Sequence, residues 1–217
     1  HYVAAEMPVE SLPFSMVAAR NAETRRDHLA ASKYYTLALQ CRPTDLSVRT
    51  AASLGLSRAL FKIGRVSEAL GELEKLSAQG TLSPREQYQI EVNRSAIACA
   101  AGDLPNKEKS ARAALTIACE AHLKTESIDA MATLGSALCG LQRRYEGLPL
   151  LYRSLAQARD LGDRGIVAGI LHHLAECHWT RGNYLQALRY QRRCSRMWGG
   201  QVMPSEPTIS EMNIAIL

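Results

Sequence analysis

Gly182-Asn183-Tyr184-Leu185-Gln186-Ala187-Leu188-Arg189-Tyr190 joins a tight turn to the start of a helix. Glycine supplies the left-handed backbone that ends one helix, and asparagine caps the next. Tyr184, Ala187, Gln191 and Cys194 then fall at offsets of 3, 7 and 10, one face of a 3.6-residue helix. The same arrangement recurs upstream at Arg26-Asp27-His28, Gly64-Arg65-Val66, Gly102-Asp103-Leu104 and Arg143-Arg144-Tyr145. The first residues of the five turns are separated by 38, 38, 41 and 39 residues. Matching helix faces follow: His28, Ala31, Tyr35 and Ala38; Val66, Ala69, Leu73 and Leu76; Tyr145, Leu148, Tyr152 and Leu155. A helical pattern also precedes the turns, as in Leu56, Leu60 and Ile63, or Leu171, Leu174, Ala175 and His178. The unit is therefore helix, tight turn, helix, loop, repeated about every forty residues.

Start signals lie between the units. Ser83-Pro84-Arg85-Glu86 is a capping box with proline at the first helical position, and Asp163 follows Leu161-Gly162 where an N-cap is wanted. Two units depart from the pattern. Lys107 stands where a small residue is usual, with Pro105 near its helix start. Pro149 lies four residues past Tyr145, which predicts a late start or a kink. The flanks are less regular: residues 1–11 read as an irregular lead-in and 199–207 as a linker. Thr208-Ile209-Ser210-Glu211 reads as a capping box opening a further helix. That helix, and a first residue that is not Met, lead us to expect a piece of a longer protein.

The turn at Gly182 through Tyr190 resembles the tetratricopeptide repeat signature, as does Asp27-His28 through Ala38-Leu39, ending at Pro43. The segment from Ala158 to Tyr190 is similar to the long, roughly 40-residue variety of that repeat. This variety is found in G-protein-signalling modulators, kinesin light chains, rapsyn-like scaffolds and the sensor arms of LuxR-type regulators. The resemblance covers about residues 12–198 and implies an all-α, right-handed superhelical solenoid of about five antiparallel helix pairs. The expected repeats are 12–45, 46–82, 83–123, 124–163 and 164–198, with 199–217 a linker and the start of a further helix.

In the family, the first helices of the pairs line an inner, concave wall. Carried onto this chain, the wall positions are Met16, Arg20 and Glu23; Leu54, Arg58, Phe61 and Lys62; Gln89, Val92 and Ala96; Thr133 and Ala137; and His172, His173, Glu176 and Trp179. The resemblance thus implies partner binding through Arg20, Arg58, Phe61, Lys62, Gln89, Asn93, His172, Glu176 and Trp179. Arginine and tryptophan are the residue types that most often carry binding energy. The carboxylate clamp of some such proteins needs paired lysine and asparagine on successive first helices. Only Asn93 has a match, so that activity is not expected.

Two further clusters invite sharper readings. His173 and Cys177 are i, i+4 within His172-His173-Leu174-Ala175-Glu176-Cys177-His178, a ligand-compatible spacing. A closed zinc site needs four ligands, so packing is the preferred reading and no metal is expected. Arg189, Arg192, Arg193 and Arg196 form one basic stripe on the last helix. It reads first as a solvated face and second as a patch for phosphate, an acidic protein or anionic lipid.

Composition bounds the rest. The 217 residues are 47% hydrophobic, with only two Phe and two Trp, so the core must be built from Ala, Leu and Tyr. A net charge of +5 leans toward a protein or peptide partner with an acidic segment. It lacks the dense basic clustering and regular polar code of a nucleic-acid binder. None of the six cysteines is spaced as CxxC, so reduced, buried thiols in an intracellular, cytoplasmic setting are expected, the nucleus left open. No apolar run reaches a membrane span. GxGxxG, GxxxxGK[ST], GxSxG and HExxH are all missing, and neither catalytic residues nor a cofactor are expected. The leading expectation is a protein–protein interaction scaffold or adaptor. The alternative is an effector- or partner-sensing regulatory arm of a larger signalling or transcription-regulator protein.

Overall fold

The computed structural model describes residues 8–78 and 82–197, and among them places ten α-helices and no strand. They are α1 (Pro8–Thr24), α2 (His28–Gln40), α3 (Leu46–Lys62), α4 (Val66–Ser77), α5 (Pro84–Ala100), α6 (Leu104–Glu120), α7 (Lys124–Gly140), α8 (Arg144–Leu161), α9 (Arg164–Trp179) and α10 (Tyr184–Met197). The chain is an all-α helical repeat. It divides into two compact units, His1–Ala130 and Met131–Leu217. The linker expected at 199–207 and the helix expected from Thr208 lie outside the described residues. The lead-in expected to be irregular through residue 11 is helical from Pro8. Proline at a first helical position gives up only an N–H that would be unpaired there.

Each pair turns on one left-handed residue: Arg26, Gly64, Gly102, Gln142 and Gly182, at φ of 59°, 83°, 71°, 63° and 78°. The same two backbone bonds close every turn. Gly182 N donates to Trp179 O and Asn183 N to His178 O, just as Gln142 N donates to Cys139 O and Arg143 N to Leu138 O. This doubly bonded helix end satisfies the carbonyls that the last turn leaves free. Asp27, Asp103 and Asp163 then cap α2, α6 and α9 by accepting from backbone N–H groups. The capping box at Ser83 and Glu86 starts α5.

The fourth turn corrects the sequence reading by one residue. The left-handed residue is Gln142, not Arg143, and α8 starts at Arg144 with Pro149 inside it, so its start is not late. Consequently Tyr145 points out, 99% exposed, and Tyr152 is exposed too. The buried face is Gly147, Leu151, Ser154, Leu155 and Ala158. Glutamine carries no signal for a left-handed turn, and a tyrosine three residues on mimicked the first helix position, which Arg144 holds.

Once this register is set, one buried residue of each first helix corresponds to a buried one of the second at a spacing of twelve. The pairs are Ala19 and Ala31, Ser57 and Ala69, Ser95 and Lys107, Gly135 and Gly147, and Ala175 and Ala187, all buried. Small side chains here let the two helix axes approach closely. Ser57 Oγ donates to Ala69 O at 2.9 Å and Ser95 Oγ to Lys107 O at 3.4 Å, so the crossing is polar where serine stands. Lys107, the expected departure, is only 5% exposed. The first unit's main core gathers Tyr35, Leu54, Leu60, Leu73, Leu76 and Ile90. The second buries Leu134, Leu138, Leu151, Ile170, Leu171 and Leu174.

Candidate binding faces

In the first unit α1, α3 and α5 lie side by side, each backed by its partner helix. Tyr35 organises the face they share. Its ring, on α2, packs over Gly55 of α3, where a side chain would collide with it. Its hydroxyl donates to Glu23 Oε2 of α1 at 2.7 Å. Burial, then that hydrogen bond, pushes the phenol up to about 12. Glu23 Oε1 in turn accepts from Arg58 Nη2 of α3 at 3.3 Å. Such an exposed pair adds little stability, but it holds the guanidinium in place.

The sequence-predicted residues fall on this face as follows. Arg20, Arg58, Lys62 and Gln89 are exposed; Phe61 and Asn93 are half-buried. Lys62 Nζ lies 5.4 Å from the Phe61 ring centroid, within reach of a cation–π contact. Asn93 Nδ2 is buried and has no hydrogen-bond partner among the described residues. Met16 and Leu54, expected on the wall, are buried in the core instead. At the far end of the face Tyr88 donates to Asp129 Oδ2 at 2.9 Å, and Arg85 pairs with Glu126 at 2.6 Å. The first bond, like that of Tyr35, was not visible in the sequence, because its partners are 41 residues apart.

In the second unit α9 carries His172, Glu176 and Trp179. Glu176 accepts from two rings at once: His172 Nε2 is 3.5 Å from Oε1 and His173 Nδ1 is 3.3 Å from Oε2. Burial works against the charged carboxylate, but hydrogen bonds and charge from the two histidines outweigh it. They hold the carboxyl well below its usual range. Trp179 is half-buried, edge-on to Tyr184 with ring centroids 4.9 Å apart. His178 stacks on Tyr190 at 5.4 Å, and desolvation depresses its pKa. Ala137, another expected wall position, is fully buried.

None of the six cysteines is in a disulfide; Cys41, Cys139, Cys177 and Cys194 are buried, but Cys99 and Cys119 are exposed, contrary to expectation. Cys177 lies against Cys139, which lowers its pKa despite burial. All four arginines of the basic stripe are exposed. Arg193 and Arg196 line a hollow, whereas Arg189 and Arg192 do not. No described helix is long and apolar enough to cross a membrane.

Comparison with known proteins agrees with this geometry. Residues 126–198 match the family model described as Tetratricopeptide repeat. Among solved structures, BtubC from P. vanneervenii is 17% identical over 95% of this chain and 88% of its own, with a TM-score of 0.69. A putative kinesin light chain from Podospora anserina, built of nearly identical TPR-like repeats, is 18% identical over 88% of this chain and 96% of its own, with a TM-score of 0.61. At these identities the likeness is one of fold. Among curated proteins, none matches the chain.

Proposed function

Because residues 126–198 are tetratricopeptide repeats and the fold of such repeats extends along the chain, we propose that this protein is an interaction scaffold or adaptor. On this reading it binds an extended segment of another protein on the α1, α3 and α5 face. Repeats of this type generally bind proteins. The observation that carries the reading is the face itself, where Arg20, Arg58, Lys62 and Gln89 are exposed beside the half-buried Phe61. Arg20 and Lys62, beside an Arg58 already paired with Glu23, favour an acidic segment, and Phe61 provides apolar surface next to Lys62. Charge would set the association rate and its salt sensitivity, while the apolar contact would set residence time.

The α9 residues His172, Glu176 and Trp179 are proposed as a second contact surface. Glu176 there is occupied by its two histidines, so Trp179 is the residue that would carry the contact.

The test compares wild type with the Arg20→Glu, Arg58→Glu, Lys62→Glu triple variant in pull-downs from native extract. The melting temperature of each protein is measured alongside. A partner retained by wild type and lost by a folded triple variant, most completely at low salt, supports the reading. Equal retention by both contradicts it.

A further inference from the structure

The second unit carries a concentration of positive charge that its own fold does not explain. A hollow of about 450 Å³ opens where the last turns of α8 and α10 meet the first turns of α9. Arg159, Arg164, Arg193 and Arg196 line it, over apolar surface from Val167, Leu171 and Met197. Among the described residues no carboxylate pairs with any of these arginines. The one acid lining the hollow, Asp163, is already used: its Oδ1 accepts from Gly165 N at 2.9 Å and Ile166 N at 3.0 Å as the cap of α9. Four positive charges therefore face one committed negative charge.

Helix electrostatics account for only part of this. Arg159 and Arg196 sit in the last turns of α8 and α10, where cations are favoured by the helix dipole. Arg164 is the first residue of α9, the end where a cation is disfavoured. It is nevertheless held there, its Nη2 donating to Met197 O at 3.3 Å across the hollow.

We propose that this hollow is a binding site for a phosphorylated serine or threonine of a partner protein, with an apolar neighbour of that residue resting on Val167, Leu171 and Met197. A carboxylate is balanced by one guanidinium. A phosphoryl group brings close to two charges and three strong acceptors, which suits several forked donors around one point. The apolar floor selects a peptide, because a lipid headgroup would leave it unfilled. No aromatic ring lines the hollow, so a nucleic-acid base lacks the stacking platform that single-strand binders use and would compete with phosphate for the same guanidinium groups.

The experiment titrates the full 217-residue chain into a fluorescein-labelled peptide of Ser, Ala and Gly that carries one phosphoserine and a leucine two residues away. The expected result is at least tenfold tighter binding than to the unphosphorylated peptide, and a clear loss when leucine becomes serine. Arg164→Ala and Arg193→Ala should each weaken binding at least fivefold with the melting temperature unchanged. Arg189→Ala and Arg192→Ala, on α10 but outside the hollow, should leave it unchanged. The proposal is overturned if phosphorylation makes no difference, or if Arg189→Ala and Arg192→Ala weaken binding as much as the variants inside the hollow. It is also overturned if orthophosphate competes at the concentration that the unlabelled phosphopeptide needs. Tighter binding, through the same arginines, to phosphoinositide vesicles or to an RNA oligonucleotide overturns it too. None of these outcomes touches the reading of the α1, α3 and α5 face, whose variants lie in the other unit.

Discussion

Gly135 on α7 and Gly147 on α8 meet backbone to backbone. A Cβ added to Gly147 would lie 2.5 Å from the Gly135 carbonyl oxygen, and one added to Gly135 would lie 2.9 Å from that of Gly147. The rigid groups here are main chain, so the helices themselves would have to part. Gly147→Ala should therefore destabilise by about 1–3 kcal/mol, the range for overpacking a close contact. Gly71→Ala is the control: the position is inside α4 with nothing within 4 Å of an added Cβ. That change should stabilise by about 0.4–1 kcal/mol, through lost freedom in the unfolded chain. Urea unfolding followed by circular dichroism measures both. A Gly147→Ala midpoint at or above wild type would contradict this crossing.

The fourth turn offers a second test. Gln142 holds a left-handed backbone that costs a non-glycine residue about 1–2 kcal/mol. Gln142→Gly should raise stability by roughly 1 kcal/mol, since relief of the left-handed strain outweighs the unfolded-state entropy that glycine adds. Arg143→Gly should lower it, because Arg143 sits at φ −87° and pairs with Glu146 at 2.7 Å. The opposite order would place the turn one residue later, where the sequence alone had put it.

That one-residue difference shows what the sequence carried. Gly64, Gly102 and Gly182 mark left-handed turns unambiguously, and the alternating small and large residues after them mark the helix faces. The pairing of helices was legible for those reasons. Gln142 fills the same backbone role without the glycine signal, and Tyr145, a large apolar side chain near the expected position, drew the register toward itself. Wall positions such as Met16 and Leu54 lie within one helical step of exposed ones, and side-chain type alone does not separate them. The arginine hollow was less legible still. Arg193 and Arg196 were recognised as part of a stripe, but Arg159 and Arg164 reach them only through the folding of α8 and α9 against α10. No spacing rule within a single helix reveals that convergence.

The Glu176 cluster predicts a pH dependence with a definite sign. Its carboxyl titrates lower in the folded protein than in the unfolded chain, where about 4.3 is usual. The unfolded state thus takes up the proton first as pH falls. The stabilising contribution is full above about 4.3, erodes below it, and is gone once pH passes the depressed folded value. Wild type should exceed Glu176→Gln in melting temperature at pH 6, and the gap should narrow between pH 4 and pH 2.5. A gap that widens as the solution is acidified would mean the two histidines do not hold the carboxylate.

The most direct measurement of partner binding places a photo-crosslinking amino acid at Gln89, exposed on α5, and separately at Glu74, exposed on α4 of the same unit. After irradiation in native extract, a discrete protein adduct should form from position 89, fade when Arg58 or Lys62 is reversed to Glu, and be missing from position 74. Equal adducts from both positions, or none from position 89 in a folded protein, would contradict binding on the α1, α3 and α5 face.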